Sequence, residues 1–459
     1  MLARLAIWVL LCFPLAVVFR SMPAGSAARH VFSCVAGALG LYFVTSAQHL
    51  AHVLAIALTT HLIVRVAPAR LAGPLVFAAS FAHVLAVHVA RADLLEGVLG
   101  PAHAGSARAV WEGAFAVRKF QTAVMAAMLK ATGFAFSLSD GARSPGGAPA
   151  PGMHAAHAAV RLSRAPSALR FAGYMLFFPA VLGHPSYFSY AEYEAAAADS
   201  DAQRCAASSA ARAPCGPVAW AQIAMRMLEG AAFGALHAQA VRFLPRCSAG
   251  HYEPLACYAY SVLSYARFYA FWRLCDGPIV IAGLLPSEHL SAPYYFTRMR
   301  DTLLAPDHVS TVRNWNLPVA RFMKENVLLR VHRAYGPLIT FTFSTLWHGV
   351  APGYFVTAGS TLLFLKATNE LRTHVAPRAA RLPAPLRWAF GACGRLLNHG
   401  AVAFSLLPMM NVSGAETLAM LRALRFAPFA IALALLALCR VCAASDRHAR
   451  AAVPKAKAL

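Results

Sequence analysis

Residues Tyr335–Leu365 read YGPLITFTFSTLWHGVAPGYFVTAGSTLLFL and contain no Lys, Arg, Asp or Glu. About 20 apolar residues suffice to cross the hydrocarbon core of a bilayer as a helix. An open sheet edge cannot face lipid, so an uncharged run of this kind reads as helical membrane segment. His348 stands near its middle. An ionisable group at that depth is costly and is a functional candidate by default. Gly349, Pro352 and Gly353 follow at once and predict an interrupted helix. Broken backbone is tolerated at membrane depth only where it is buried in protein or lines a wet cavity. The stretch thus predicts a proton acceptor beside an internal opening. The plain alternative is a core histidine bonded to a backbone carbonyl, which the adjoining Gly-x-x-Pro-Gly weakens.

The remaining sequence has the same character. Of 459 residues, 59% are hydrophobic and only 13% charged, about half the usual charged share of a soluble domain. Such a chain has too much apolar surface for a cytosolic globular enzyme. Further uncharged or nearly uncharged tracts are Leu5–Phe19, Val31–Ala47, Leu50–Ile63, Leu71–Ala90, Val124–Leu138, Phe171–Leu182, Val218–Val241, Leu255–Leu285, Leu396–Ala415 and Phe426–Cys439. The expectation is an all-α, polytopic transmembrane bundle of about ten spans, with an internal substrate cavity or tunnel. Net charge is +23, from 41 Lys+Arg against 18 Asp+Glu. In so apolar a chain that excess belongs to cytoplasmic loops and anionic headgroups rather than to nucleic acid.

The first residues have the outline of a signal peptide, with Arg4 ahead of an apolar run. A second run begins at Val31, so Leu5–Phe19 reads as the first span. Residues 1–440 form one transmembrane domain, and 441–459 a basic cytoplasmic tail. Ser144–Ala168 and Ala195–Pro217 read as loops. Cysteines are scattered without a framework, and only Cys205 and Cys215 share a polar loop in which they would be able to pair. Asn411–Val412–Ser413 matches a glycosylation acceptor, silent if its apolar tract is in the membrane. His49 with His52, and His83 with His88, lack neighbouring ligands in a zinc-like constellation. They read as helix-packing or interfacial histidines, and no metal is expected.

Ahead of the uncharged run lies RNWNLPVARFMKENVLLRVHR, residues 313–333. Arg313, Arg321, Lys324, Arg330 and Arg333 face a single acid, Glu325. Val319, Met323, Val327 and Val331 recur every four residues beside Phe322, which predicts an apolar stripe on one helix face. A basic amphipathic helix next to a span suggests an element lying at the membrane interface. A cytoplasmic connector obeying the positive-inside rule explains the charge equally well.

NWNLPVARFMKENV followed by STLWHGVAPGYF resembles the membrane-bound O-acyltransferase superfamily, and within it the lysophospholipid acyltransferase branch. That branch carries a W-N motif and, further on, W-H-G-x-x-P-G-Y. Here these are Trp315–Asn316 and Trp347–His348–Gly349, Pro352–Gly353–Tyr354. LCFPLAVVFRSMP and Leu41–Phe43 look like its first two spans. QTAVMAAMLKATGFAFSLSDG, FAGYMLFFPAVLGHPSYFSYAEY and FYAFWRLCDGPIVIAGL are similar to three further blocks, in the right order. The likeness extends over residues 1 to about 440. His184, before Pro185, replaces the small residue common there, and the Ser144–Ala168 loop is long and rich in Ala and Pro.

The resemblance implies acyl transfer from acyl-CoA to a free hydroxyl of a lysophospholipid, with acyl-CoA as co-substrate and no bound cofactor. His348 is the expected general base. Asn316 is the second catalytic residue, either donating to the oxyanion or orienting substrate. Trp315, Trp347, Arg321, Lys324 and Arg330 are expected to bind substrate, the three bases by meeting CoA phosphates. Expected partners are acyl-CoA, lysophospholipid and the lipid bilayer of the endoplasmic reticulum, with no nucleic acid and the oligomeric state open. A protein O-acyltransferase of the same superfamily is the alternative. A channel or transporter finds less support, since the chain shows no internal repeat.

Overall fold

A computed structural model describes residues 2–90, 121–144, 148–198, 217–243, 253–284, 299–410 and 414–452. Cys205, Cys215, Asn411–Ser413 and the last residues of the expected tail lie outside them. The described residues form helices and no strand, as the uncharged tracts predict. Among them, six helices are long and apolar enough to cross a membrane: Ala3–Ser21, Ala27–Val44, Ala47–Val66, Ala69–Val89, Thr122–Ala142 and Ala427–Ser445. The expected count of about ten is therefore not reached by this criterion. Phe171–Leu182 divides into a helix, Ala168–Met175, and a 3-10 turn, Phe178–Ala180, because Pro179 cannot continue the first. Pro217–Phe243 and Pro254–Ile281 are long helices, but each carries charged residues along its length, among them Arg226 and Glu229 in the first and Arg273 and Asp276 in the second. The last helix continues to Ala452, so the first part of the expected tail prolongs it.

The chain forms two compact units. The first comprises 1–235, 267–297 and 316–350. Its centre is the Thr122–Ala142 helix, buried over nearly its whole length. Small residues allow that closeness. A Cβ on Gly73 would come within 2.3 Å of the Phe136 ring, so only glycine lets the Ala69–Val89 backbone approach there. One apolar core runs through this unit, from Trp8 and Phe19 through Phe134, Tyr174 and Phe177 to Phe322, Phe343 and Trp347. The second unit comprises 236–266, 298–315 and 351–459. Its core joins Cys257, Phe364, Phe404, Leu407, Met420, Leu421 and Ala432.

The expected single amphipathic helix over 313–333 is not formed. His308–Trp315 ends, Pro318 sits in the first turn of a new helix at Leu317–Phe322, and a π turn at Met323–Val327 and a 3-10 turn at Leu328–Arg330 follow. The apolar stripe is real, but Phe322, Met323 and Val327 join the first unit's core instead of facing lipid. A four-residue repeat reports a one-sided helix; it does not report what covers that side.

Candidate active site

The helix break after His348 is built as the sequence predicts. Helix Gly336–His348 opens with Pro337 in its first turn and ends where Gly349 takes φ 149° and ψ 179°. Residues with a Cβ rarely adopt that conformation. The next helix begins at Pro352. A helix end leaves its last carbonyls without intrahelical donors. Two of them find partners: Thr345 C=O accepts from Gly349 N–H at 3.0 Å, and Trp347 C=O from His88 Nε2–H at 2.8 Å.

Trp347 is buried, and its indole Nε1–H donates to Met125 C=O at 3.2 Å. Its ring meets the His348 imidazole edge-on, with centroids 4.8 Å apart. One turn earlier, Phe343 packs on Phe77 and Phe81 at 5.2 and 5.0 Å and on Phe322 at 6.1 Å. His348 itself is half-buried at the end of a helix held there by buried Phe343 and Trp347. The arrangement presents an imidazole from a fixed frame, as a proton acceptor requires.

Asn316 is the N-cap of Leu317–Phe322. Its Oδ1 accepts from Val319 N–H at 3.4 Å, the usual duty of an Asn at that position. The cap fixes the orientation of the amide, and among the described residues its Nδ2 makes no hydrogen bond. Its Nδ2 is thus available as a donor, while Oδ1 keeps a second lone pair. Trp315, half-buried, packs edge-on against Tyr265 at 5.4 Å.

The three bases differ. Lys324 is exposed. Arg321 Nη1 meets Glu192 at 2.6 Å and its Nε meets Glu325 at 3.2 Å, while the guanidinium lies 5.5 Å from the Tyr187 ring centre. Arg330 makes a two-pronged pair with Asp140, at 3.1 and 2.7 Å, and covers Phe136 at 4.1 Å. Both arginines spend their charge on carboxylates of the protein. The first ties the segment after Asn316 to the Tyr190–Ala198 helix, and the second ties it to the end of Thr122–Ala142. The Asp140–Gly141 pair acquires a structural reason. Asp140 also accepts from Arg143 at 2.6 Å, and a Cβ on Gly141 would stand 1.9 Å from Leu162 O.

His184 is buried, 3.6 Å from Asp276, with its ring stacked on Trp272 at 5.9 Å. His52 and His83 share a 2.9 Å hydrogen bond. Sequence reasoning read His88 as a packing histidine and did not single out Met125 or Phe343. His88 and Trp347 are 259 positions apart, and no local spacing signals that contact.

Residues 1–398 match the profile described as MBOAT, membrane-bound O-acyltransferase family. The chain is 22% identical over 330 residues to the lysophospholipid acyltransferase of Schizosaccharomyces pombe, covering 66% of this chain and 63% of that protein. It is 24% identical over 178 residues to human membrane-bound glycerophospholipid O-acyltransferase 1, covering 37% of this chain and 36% of the relative. With the lysophospholipid acyltransferase of Saccharomyces cerevisiae it shares 26% identity over 124 residues, 24% of this chain and 20% of that one. Each match spans less than two thirds of the relative's own length.

Proposed function

The chain belongs to the membrane-bound O-acyltransferase family, and we propose that it transfers a fatty acyl chain from acyl-CoA to the free hydroxyl of a lysophospholipid, in the endoplasmic reticulum membrane. The names of its relatives in two yeasts and in human support the phospholipid class. The observation that carries the chemical assignment is the helix break at Gly349, which sets a half-buried His348 at the end of a helix anchored by Trp347.

A lipid hydroxyl is a poor nucleophile and needs a base. His348 takes its proton as the oxygen attacks the thioester carbonyl. The carbonyl oxygen becomes negative, and Asn316 Nδ2, oriented by the cap, donates to it. Collapse of the tetrahedral intermediate breaks the carbon–sulfur bond. The proton held by His348 passes to the departing thiolate, giving free CoA and the phospholipid. No acyl-enzyme is needed. In this reading Lys324, the exposed base of the three, meets a CoA phosphate, and Trp315 binds substrate. Arg321 and Arg330 act on substrate only through the backbone they brace, and Trp347 through the ring it packs on His348.

The test is a panel of lysophospholipids with differing headgroups, offered with labelled acyl-CoA to the purified protein in nanodiscs. Labelled phospholipid from at least one lysolipid is expected. Label appearing only on added protein would instead identify a protein O-acyltransferase, and no transfer to either would refute the proposal.

A further inference from the structure

We propose that His88 is a positioning residue for His348, holding through the Trp347 carbonyl the peptide unit that joins the two. The inference rests on His348 being the base.

The geometry is specific. A carbonyl only accepts, so His88 Nε2 carries the hydrogen in the 2.8 Å contact with Trp347 O. That carbonyl shares its peptide plane with the backbone nitrogen of His348. Orienting the carbonyl therefore orients the point from which the His348 side chain departs. In a continuous helix Trp347 C=O would accept from residue 351, but the helix ends at His348, and the carbonyl needs an outside donor. His88 is buried at the end of Ala69–Val89 and supplies it. Residue 347 is held a second time, by its indole on Met125 C=O of Thr122–Ala142. The two anchoring helices pack against each other, so both bonds come from one rigid support. The break leaves the carbonyl of residue 347 without a helical donor, and His88 supplies one.

An error of about 1 Å in a reacting group can cost about 10²-fold in rate. In purified full-length protein, His88→Leu is expected to lower kcat by about 10²-fold, with KM for acyl-CoA and lysolipid within about twofold. His88→Gln can place an amide N–H near the former Nε2 and is expected to recover kcat to within about tenfold of wild type. His88→Asn reaches only as far as Nδ1 and is expected to stay near the Leu variant. Folded protein, measured by size-exclusion chromatography, normalises every rate. The proposal is overturned by wild-type kcat in His88→Leu, or by equal rates in the Gln and Asn variants. If the Leu variant fails to fold, the comparison of the two amides decides alone. His348→Ala runs beside them. Turnover in that variant overturns the base assignment and this inference with it. An inactive His348→Ala alongside a fully active His88→Leu overturns this inference only.

Discussion

Arg321→Met asks whether the basic residues after Asn316 serve the fold or the substrate. Arg321 is 11% exposed and Glu192 6%, with 2.6 Å between them. Glu325, also buried, completes the triad at 3.2 Å. Glu192 has a second task. It accepts from Ser189 N–H and Oγ–H at 2.7 and 2.9 Å, while its own N–H donates to Ser189 Oγ at 3.2 Å, a capping box on Tyr190–Ala198. Burial pushes the Glu192 carboxyl up, but Arg321 and the Ser189 hydrogen bonds outweigh it and hold it below the ordinary carboxylate range. Removing the guanidinium leaves two buried carboxylates without their cation, and breaking a buried pair this way costs about 3–5 kcal/mol. Protonation relieves part, so the lower end, about 3 kcal/mol, is expected. The sign with pH follows. A depressed folded-state value gives stability that is complete at neutral pH, above the ordinary carboxylate value, and lost as pH falls through the folded value. The deficit of the variant should therefore be large at about pH 7 and shrink toward about pH 4. Thermal unfolding in nanodiscs at both pH values, with KM for acyl-CoA on the folded fraction, gives the answer. Glu192→Gln in the Arg321→Met background should recover part of the loss, with a coupling of about 0.5–3 kcal/mol. Wild-type stability together with a raised acyl-CoA KM would refute the reasoning and assign Arg321 to the substrate.

Asn316→Asp keeps the oxygen that caps Val319 but removes the amide donor. It should leave abundance unchanged and lower kcat by about 10²–10³-fold; full activity would show that Nδ2 is not needed. Gly141→Ala places a methyl 1.9 Å from Leu162 O and should destabilise by about 1–3 kcal/mol, read as a lower unfolding temperature with kcat of the survivors intact. Gly349→Ala puts a Cβ on a residue at φ 149° and should reduce kcat more than abundance, because the strain falls on the peptide following His348; a drop in abundance alone would contradict that.

Much of the fold is legible in the amino-acid sequence. Uncharged runs longer than a bilayer is thick force helices, and the Gly349–Pro352 interruption follows from residue chemistry. Asn316 and His348 stand out in the sequence through the family resemblance that their motifs carry. What escapes is everything that depends on distant partners. The stripe of Phe322, Met323 and Val327 is visible, but whether lipid or protein covers a helix face is set elsewhere in the chain. Arg321 and Arg330 look like free cations because Glu192 and Asp140 lie 129 and 190 positions away. Among the described residues only six helices are apolar enough to count as spans, because apolar tracts do not register a Pro179 or a buried Asp276. His88 looks like any packing histidine, as its importance lies in a carbonyl left open by a break far along the chain.

In the proposed reaction the imidazole at position 348 removes the proton from the acceptor hydroxyl. The most direct test of this step is the rate of acyl transfer by purified His348→Ala, with acyl-CoA binding measured on the same preparation. A loss of about 10²–10⁴-fold in kcat with binding unchanged is expected. Transfer within a few-fold of wild type, or a loss explained by failed acyl-CoA binding, would contradict it.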